Sequence, residues 1–214
     1  MNKIKEYILA LTNLYGQVSP EKVAEIYNSQ NEEKVTVEEV SSYLNEDLSS
    51  SFIYSYEDHF VHETVVTFDE FEILKMKKHN KPYYVPEKEE LLKYSDMEYY
   101  EEPEEYQKLV SYFKKYLLPH DHEKADLLCE DLIIDCLVDF KVQDIGDTLT
   151  RANLQIKDMR KFKEVFRLIM ALSNNVRIWE NNGYTPDEMY VMSEKSSLMP
   201  IPEYSYESKK SLCS

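Results

Sequence analysis

Apolar residues return at helical spacing from the first turn of the chain. Ile4, Ile8, Leu11 and Leu14 form one stripe that ends at Gly16. A second helix opens at Ser19-Pro20-Glu21, where serine caps, proline takes the first helical position without losing a needed donor, and the acid suits the positive helix end. Its inward face is Val23, Ile26 and Tyr27. Thr36-Val37-Glu38-Glu39 has capping-box spacing and starts a third helix that buries Val37, Val40, Tyr43 and Leu44. Residues 51 to 56 and 60 to 66 are rich in aromatic and β-branched side chains around Glu57-Asp58-His59, which predicts a hairpin. Phe68, Phe71, Leu74 and Met76 mark a short helix over 69–77, closed by Lys75, Lys77 and Lys78 at its negative end. Three helices followed by a hairpin is the element order of a winged helix.

Pro82 and Pro86 bracket Tyr83-Tyr84-Val85 as an extended connector. From Pro103 the pattern is helical again. Leu109, Val110, Phe113, Tyr116 and Leu117 make a face ended by Pro119. Asp121 caps the next helix, in which Ala125, Leu128, Leu132, Cys136 and Phe140 recur and apolar residues cover much of the circumference, as in the central helix of a bundle. A shorter helix is predicted over 142–152 and a longer one from Ile156 to Asn174, with Met159, Phe162, Val165, Phe166, Ile169, Met170 and Leu172 apolar. A corner follows. Gly183 suits a left-handed helix end, Thr185 caps, Pro186 takes the first turn, Glu188 closes a capping box, and Trp179 anchors the corner in the core. The expected protein is mainly α with a small β-hairpin: a winged-helix-like domain over 1–78, an acidic tyrosine-rich connector over 79–103, a helical bundle over 104–195 and an extended tail over 196–214.

Composition narrows the function classes. With 43% hydrophobic residues in 214, the chain can bury a sizeable core and is no disordered acidic tail. Only 3 glycines leave little room for a phosphate-cradling loop, so P-loop and dinucleotide-binding classes are excluded. No apolar run reaches spanning length, and Met1 leads directly into the first amphipathic helix, which points to a soluble, cytoplasmic protein without membrane contact. Cys129, Cys136 and Cys213 are odd in number and lack metal-ligand spacing, as free thiols of a reducing compartment do.

Charge decides more. The formal net charge is −16. Residues 1–68 carry 12 acids against 4 lysines, and Glu87 to Tyr106 carries 9 against 2. Residues 141–177 are the exception, with all four arginines, four lysines and four acids. Such a body repels polynucleotides, whose non-specific affinity comes from Lys and Arg. The third helix would have to read DNA, yet residues 36–48 offer Glu38, Glu39, Glu46 and Asp47, with Asn45 as the one plausible reader. Direct nucleic-acid contact is therefore disfavoured.

Candidate chemistry is sparse. His120-Asp121-His122 has metal-ligand residue types, but histidines two apart at a helix start point away from each other, and no His-x-x-x-His exists. Neither a metal, a cofactor nor a catalytic constellation can be read, and the chain is expected to be non-enzymatic. Arg151, Arg160, Lys163 and Arg167 form a basic face that either docks an anion or pairs with the acidic segment 87–105 of the same chain. Tyrosine, 18 of 214, is concentrated among acids, and tyrosine supplies contact area at low entropy cost. Glu98, Tyr99, Tyr100, Glu101, Glu102, Glu104 and Glu105 are accordingly the candidate partner-binding surface.

Residues 174–189, from Asn174-Asn175-Val176-Arg177-Ile178-Trp179 through Asn182-Gly183-Tyr184-Thr185-Pro186 to Met189, resemble a segment of uncharacterised bacterial proteins, many of which carry a C-terminal SEC-C zinc motif. The cysteine-rich motif itself is missing, since only Cys213 lies after residue 136, so the resemblance implies fold organisation and neither zinc nor an activity. The expected function is an acidic interaction or regulatory protein that engages a protein partner. Its sharper form is an inhibitor whose carboxylates mimic nucleic-acid charge and occupy a basic nucleic-acid-binding protein. The alternative is a winged-helix transcriptional regulator that places its phosphate contacts on Arg151 to Arg177.

Overall fold

Three helices and three short strands make the first unit of a mainly α-helical chain. The computed structural model describes residues 2–139 and 142–197. Helix α1 (Lys3–Tyr15) is followed by β1 (Gln17–Val18), α2 (Pro20–Gln30) and α3 (Val37–Ser41), which continues as a 3₁₀ turn, Ser42–Asn45. Strands β2 (Ile53–Tyr56) and β3 (His59–His62) form the hairpin. The antiparallel sheet has the order β1-β3-β2, with Val18 opposite Phe60 and Ile53 opposite His62. Glu57 and Asp58, both left-handed, make the two-residue turn whose twist matches the strands. The expected caps are formed. Ser19 Oγ accepts from the Lys22 amide, and Thr36 and Glu39 satisfy each other's backbone donors. The order is helix–strand–helix–helix–hairpin, with β1 pairing onto β3.

Three expectations change here. The β-branched run Thr64-Val65-Val66 is not strand: α4 (Glu63–Thr67) begins where His62 Nδ1 accepts from the Thr64 amide, and Val65 turns into a small cluster with Val61, Phe71 and Leu74. Tertiary burial outweighs β propensity over so short a run. In α5 (Phe71–Lys78), Phe71 and Leu74 are buried, whereas Phe68 and Met76 are 68% and 74% exposed. The third helix also closes into its 3₁₀ turn earlier than its apolar spacing suggests, leaving Val37, Tyr43 and Leu44 half-buried on the core.

The second unit is a bundle of α7 (Glu104–Tyr112, continued by a π-helical turn, Phe113–Leu117), α8 (His122–Asp139), α9 (Val142–Arg151) and α10 (Met159–Asn175). Between the units lies α6 (Lys88–Leu91), and α11 (Pro186–Ser197) ends the described chain. The bundle core is Leu109 and Phe113 of α7, Leu128, Leu132 and Ile133 of α8, Ile145 and Leu149 of α9, and Val165, Ile169 and Leu172 of α10. Contrary to expectation, α8 is not apolar-buried all round: Leu127 and Ile134 face out, as do Met159 and Phe162 of α10. Phe140 and the tail from residue 198 lie outside the described residues. No described helix is long and apolar enough to cross a membrane.

The connector is no spacer. Leu91 and Tyr94 belong to the first core beside Leu11 and Leu14, and the Tyr15 hydroxyl donates to the Tyr84 carbonyl. Lys78, only 6% exposed, donates from Nζ to the carbonyls of Tyr15 and Gln17 at 2.8 and 2.7 Å and so caps the C-terminus of α1. Burial lowers its pKa to about 7.

Gly16 explains how the corner meets this unit. Its φ is +74°, and a Cβ there would lie 2.6 Å from the ring of Trp179. Trp179 thus anchors the corner in the first unit, on the edge of the Val61–Leu74 cluster, rather than in its own bundle. Gly16→Ala combines left-handed strain with displacement of that ring and is expected to cost about 2–3 kcal/mol, measured by urea unfolding. Lys78 gives a pH signature. The unfolded chain keeps this proton up to about 10.5 while the folded one releases it near 7. The stability of the wild type relative to Lys78→Met is therefore expected to rise with pH across that window, read from unfolding midpoints at a series of pH values.

Candidate functional site

The acidic tyrosine-rich segment folds along the seam between the units. An Asx turn, with the Glu98 amide donating to Asp96 Oδ1 at 3.0 Å, leads into an extended stretch whose side chains alternate. Tyr99 consequently packs edge-on against Tyr94 at 5.0 Å and joins the first core, while Tyr100 turns to Tyr106 and joins the bundle core. Asn13 Nδ2 donates to the Tyr94 carbonyl at 2.8 Å, holding the segment on α1.

Arg177 closes the seam. Its Nε lies 2.9 Å from both carboxylate oxygens of Glu101, and its Nη1 donates to the Gly183 carbonyl and to Glu188 Oε2 at 3.1 Å each. The guanidinium sits 3.5 Å over the Tyr84 ring. Burial pulls its pKa down, but the Glu101 and Glu188 carboxylates outweigh that and the guanidinium ends above its usual value. Glu188 serves twice, since it also completes the predicted capping box by accepting from the Thr185 amide at 2.9 Å while Thr185 Oγ1 accepts from the Glu188 amide. Gly183 is left-handed as expected, and Pro186 opens α11. Trp179 Nε1 donates to the Asn13 carbonyl at 2.8 Å.

These contacts frame a cavity of about 540 Å³. Tyr94, Tyr99, Tyr100 and Trp179 supply aromatic lining, Leu14, Met97, Ile134 and Leu137 apolar lining, and Glu98, Glu101 and Glu130 carboxylates. Glu101 is committed to Arg177 and to the Tyr94 hydroxyl, which donates to it at 2.8 Å. Glu98 and Glu130 are exposed and have no cationic partner among the described residues. Asn13 Oδ1 is buried without a hydrogen-bond partner. His62, its ring tilted by 50° and 5.0 Å from that of Trp179, has its pKa lowered by burial, only partly countered by Glu63. Acceptors and π faces without a free cation suit a cationic side chain.

The other predicted site residues lie elsewhere. Glu102 accepts from Gln107 at 2.6 Å, and Glu104 and Glu105 share Lys108 on the first turns of α7. The basic face does not reach the acidic segment. Arg151 approaches Asp135 at 3.9 Å, Arg160 approaches Asp158 at 3.7 Å, Arg167 clamps Glu164 at 2.7 Å, and Lys163 is exposed. Arg177 alone of the arginines pairs with that segment, and so it is withdrawn from any external phosphate. Cys129 and Cys136 are buried, which pushes both thiols up to about 12 and leaves them unreactive. Among the described residues no group of three or more His, Cys, Asp or Glu converges as metal ligands. No family model, curated protein or solved structure matches the chain.

Sequence reasoning missed Asn13, Glu130 and Ile134, which meet the segment from α1 and α8, and it weighed His62 only as a weak metal pair with His59, whereas His62 meets the segment from β3. Only Ile134 left a signal, as an apolar residue off the buried face of α8. Arg177→Gln strands Glu101 against the seam, and because Glu101 is partly exposed its expected cost is at the low end for a buried pair, about 2–3 kcal/mol. Arg177→Lys should recover less than half, since an ammonium cannot bridge Glu101, Gly183 and Glu188 together, and chemical denaturation of the three proteins checks both statements.

Proposed function

We propose that the protein is a non-enzymatic interaction module that engages a basic protein partner, accepting a lysine or arginine side chain of that partner in the seam cavity. The observation that carries the reading is the cavity itself: four aromatic side chains together with the uncommitted carboxylates of Glu98 and Glu130. Cations bind tyrosine and tryptophan faces, and a nearby carboxylate adds attraction where water is partly excluded. Glu98, Tyr99, Tyr100 and Glu101, the core of the sequence-derived partner surface, all line it. Glu102, Glu104 and Glu105 extend the same negative surface along the start of α7.

A partner that itself binds nucleic acid fits best. Glu38, Glu39, Glu46 and Asp47 are exposed where a winged helix would present its reading side chains, so this face offers to a basic protein what a phosphate backbone would. The same carboxylates disfavour the alternative of a DNA-binding regulator.

Trp179 provides the test, because it is the single tryptophan and lines the cavity. An arginine-rich peptide titrated into the protein should change indole emission saturably. Glu98→Gln with Glu130→Gln should weaken that binding about tenfold, or about 1.4 kcal/mol, whereas Glu32→Gln with Glu33→Gln, of equal charge change, should not. Equal weakening by both pairs would reduce the effect to bulk charge and reject the site. Retention on duplex DNA that falls steeply with salt would reject the whole reading.

A further inference from the structure

On the opposite side of the Gly16 turn lies a smaller cleft of about 260 Å³. It is lined by Lys75, Lys78 and His79 from the end of α5 and its exit, by Lys81 beyond, and by His59 from the hairpin. Among the described residues no acid lines it, in a chain with 41 acids.

One group in this cleft is underused. Lys78 Nζ spends two hydrogen bonds on the carbonyls of Tyr15 and Gln17, has no carboxylate partner among the described residues, and as an ammonium retains a third N–H. A buried lysine without an anion is held near the edge of deprotonation, as its pKa of about 7 reflects. The lysines around it are not locked by acids either. Lys75 makes one long approach to Glu72 at 3.8 Å, and Lys81 donates to the Glu180 carbonyl and to Asn181 Oδ1 rather than to a carboxylate.

We propose that this cleft binds a small doubly charged oxyanion, either inorganic phosphate or the head of a phosphomonoester, held by Lys75, Lys78 and Lys81. Charge-assisted hydrogen bonds from several ammonium groups are the usual way to hold such an anion, and the absence of lining carboxylates removes competition for them. The site is independent of the seam, since the two cavities share no lining residue.

Calorimetric titration with sodium phosphate, at ionic strength fixed with sodium chloride, tests it. Saturable binding is expected, with a matching rise in thermal midpoint that chloride does not produce. Lys75→Gln with Lys81→Gln leaves the Lys78 cap of α1 intact and should weaken phosphate binding roughly tenfold or more. Lys78→Met should abolish it, and the double variant keeps the test open if this one fails to fold. Phenyl phosphate binding at least as tightly as inorganic phosphate would identify a phosphomonoester site, and weaker binding a free-phosphate site. No heat and no midpoint shift beyond the chloride control, or equal phosphate affinity in the double variant, would overturn the proposal.

Discussion

The indole of Trp179 rests on the backbone of Gly16, and most of the architecture follows from that contact. A side chain at residue 16 would occupy the space of the ring, so the turn that ends α1 and starts β1 is also the floor on which the distant corner lands. Gly183 repeats the device from the other side, approaching Leu14 and Tyr15 closely at a φ of +83°. Two of the chain's three glycines are thus spent where one unit's backbone meets the other's side chains, and neither closes a hairpin. Close packing of this kind is selective because dispersion falls off within an ångström of gap.

Electrostatics reinforces the join. A guanidinium that is 12% exposed needs its charge answered inside the protein, and Glu101 from the connector and Glu188 from α11 do so together. One side chain thus ties the connector, 76 residues away, to the corner and the start of α11, while Asn182 adds Nδ2 hydrogen bonds to the carbonyls of Lys78 and Lys81. Glu98 and Glu130 remain at the cavity without a cationic partner among the described residues, because the buried Arg177 nearby is already paired with Glu101 and Glu188. On the far side of the same turn the signs reverse, with lysines gathered around the carbonyl end of α1. A chain of net acidic character thus carries two cavities of contrasting lining, one with carboxylates among aromatic rings and one with lysines.

Much of this was legible in local chemistry. The caps at Ser19, Thr36, Asp121 and Thr185 form because each is satisfied by atoms within three residues, so no distant contact is needed to specify them. The hairpin is equally local at its turn. Its far end is not: Thr64-Val65-Val66 has the composition of a strand and becomes helix because Val65 finds Phe71 and Leu74, a choice made by burial. Phe68 and Met76 fit a helical stripe and stay outside it, since a stripe read from spacing says which residues share a face and not how wide a surface awaits them.

The candidate site divides along the same line. That Glu98 to Glu105 would be a surface of acids and tyrosines is written in the residues themselves, because charge and contact area are properties of side chains. Which of those acids stays available was decided by partners up to 76 residues away, as Arg177 took Glu101 and left Glu98. The sequence by itself determined helical class, caps, corner and the sign of the overall field, all set by neighbours a few bonds apart. Tertiary structure alone decided that Trp179 docks on Gly16, that Lys78 is buried under α1, and that the seam encloses a cavity, since each requires two segments whose meeting depends on the packing of everything between them.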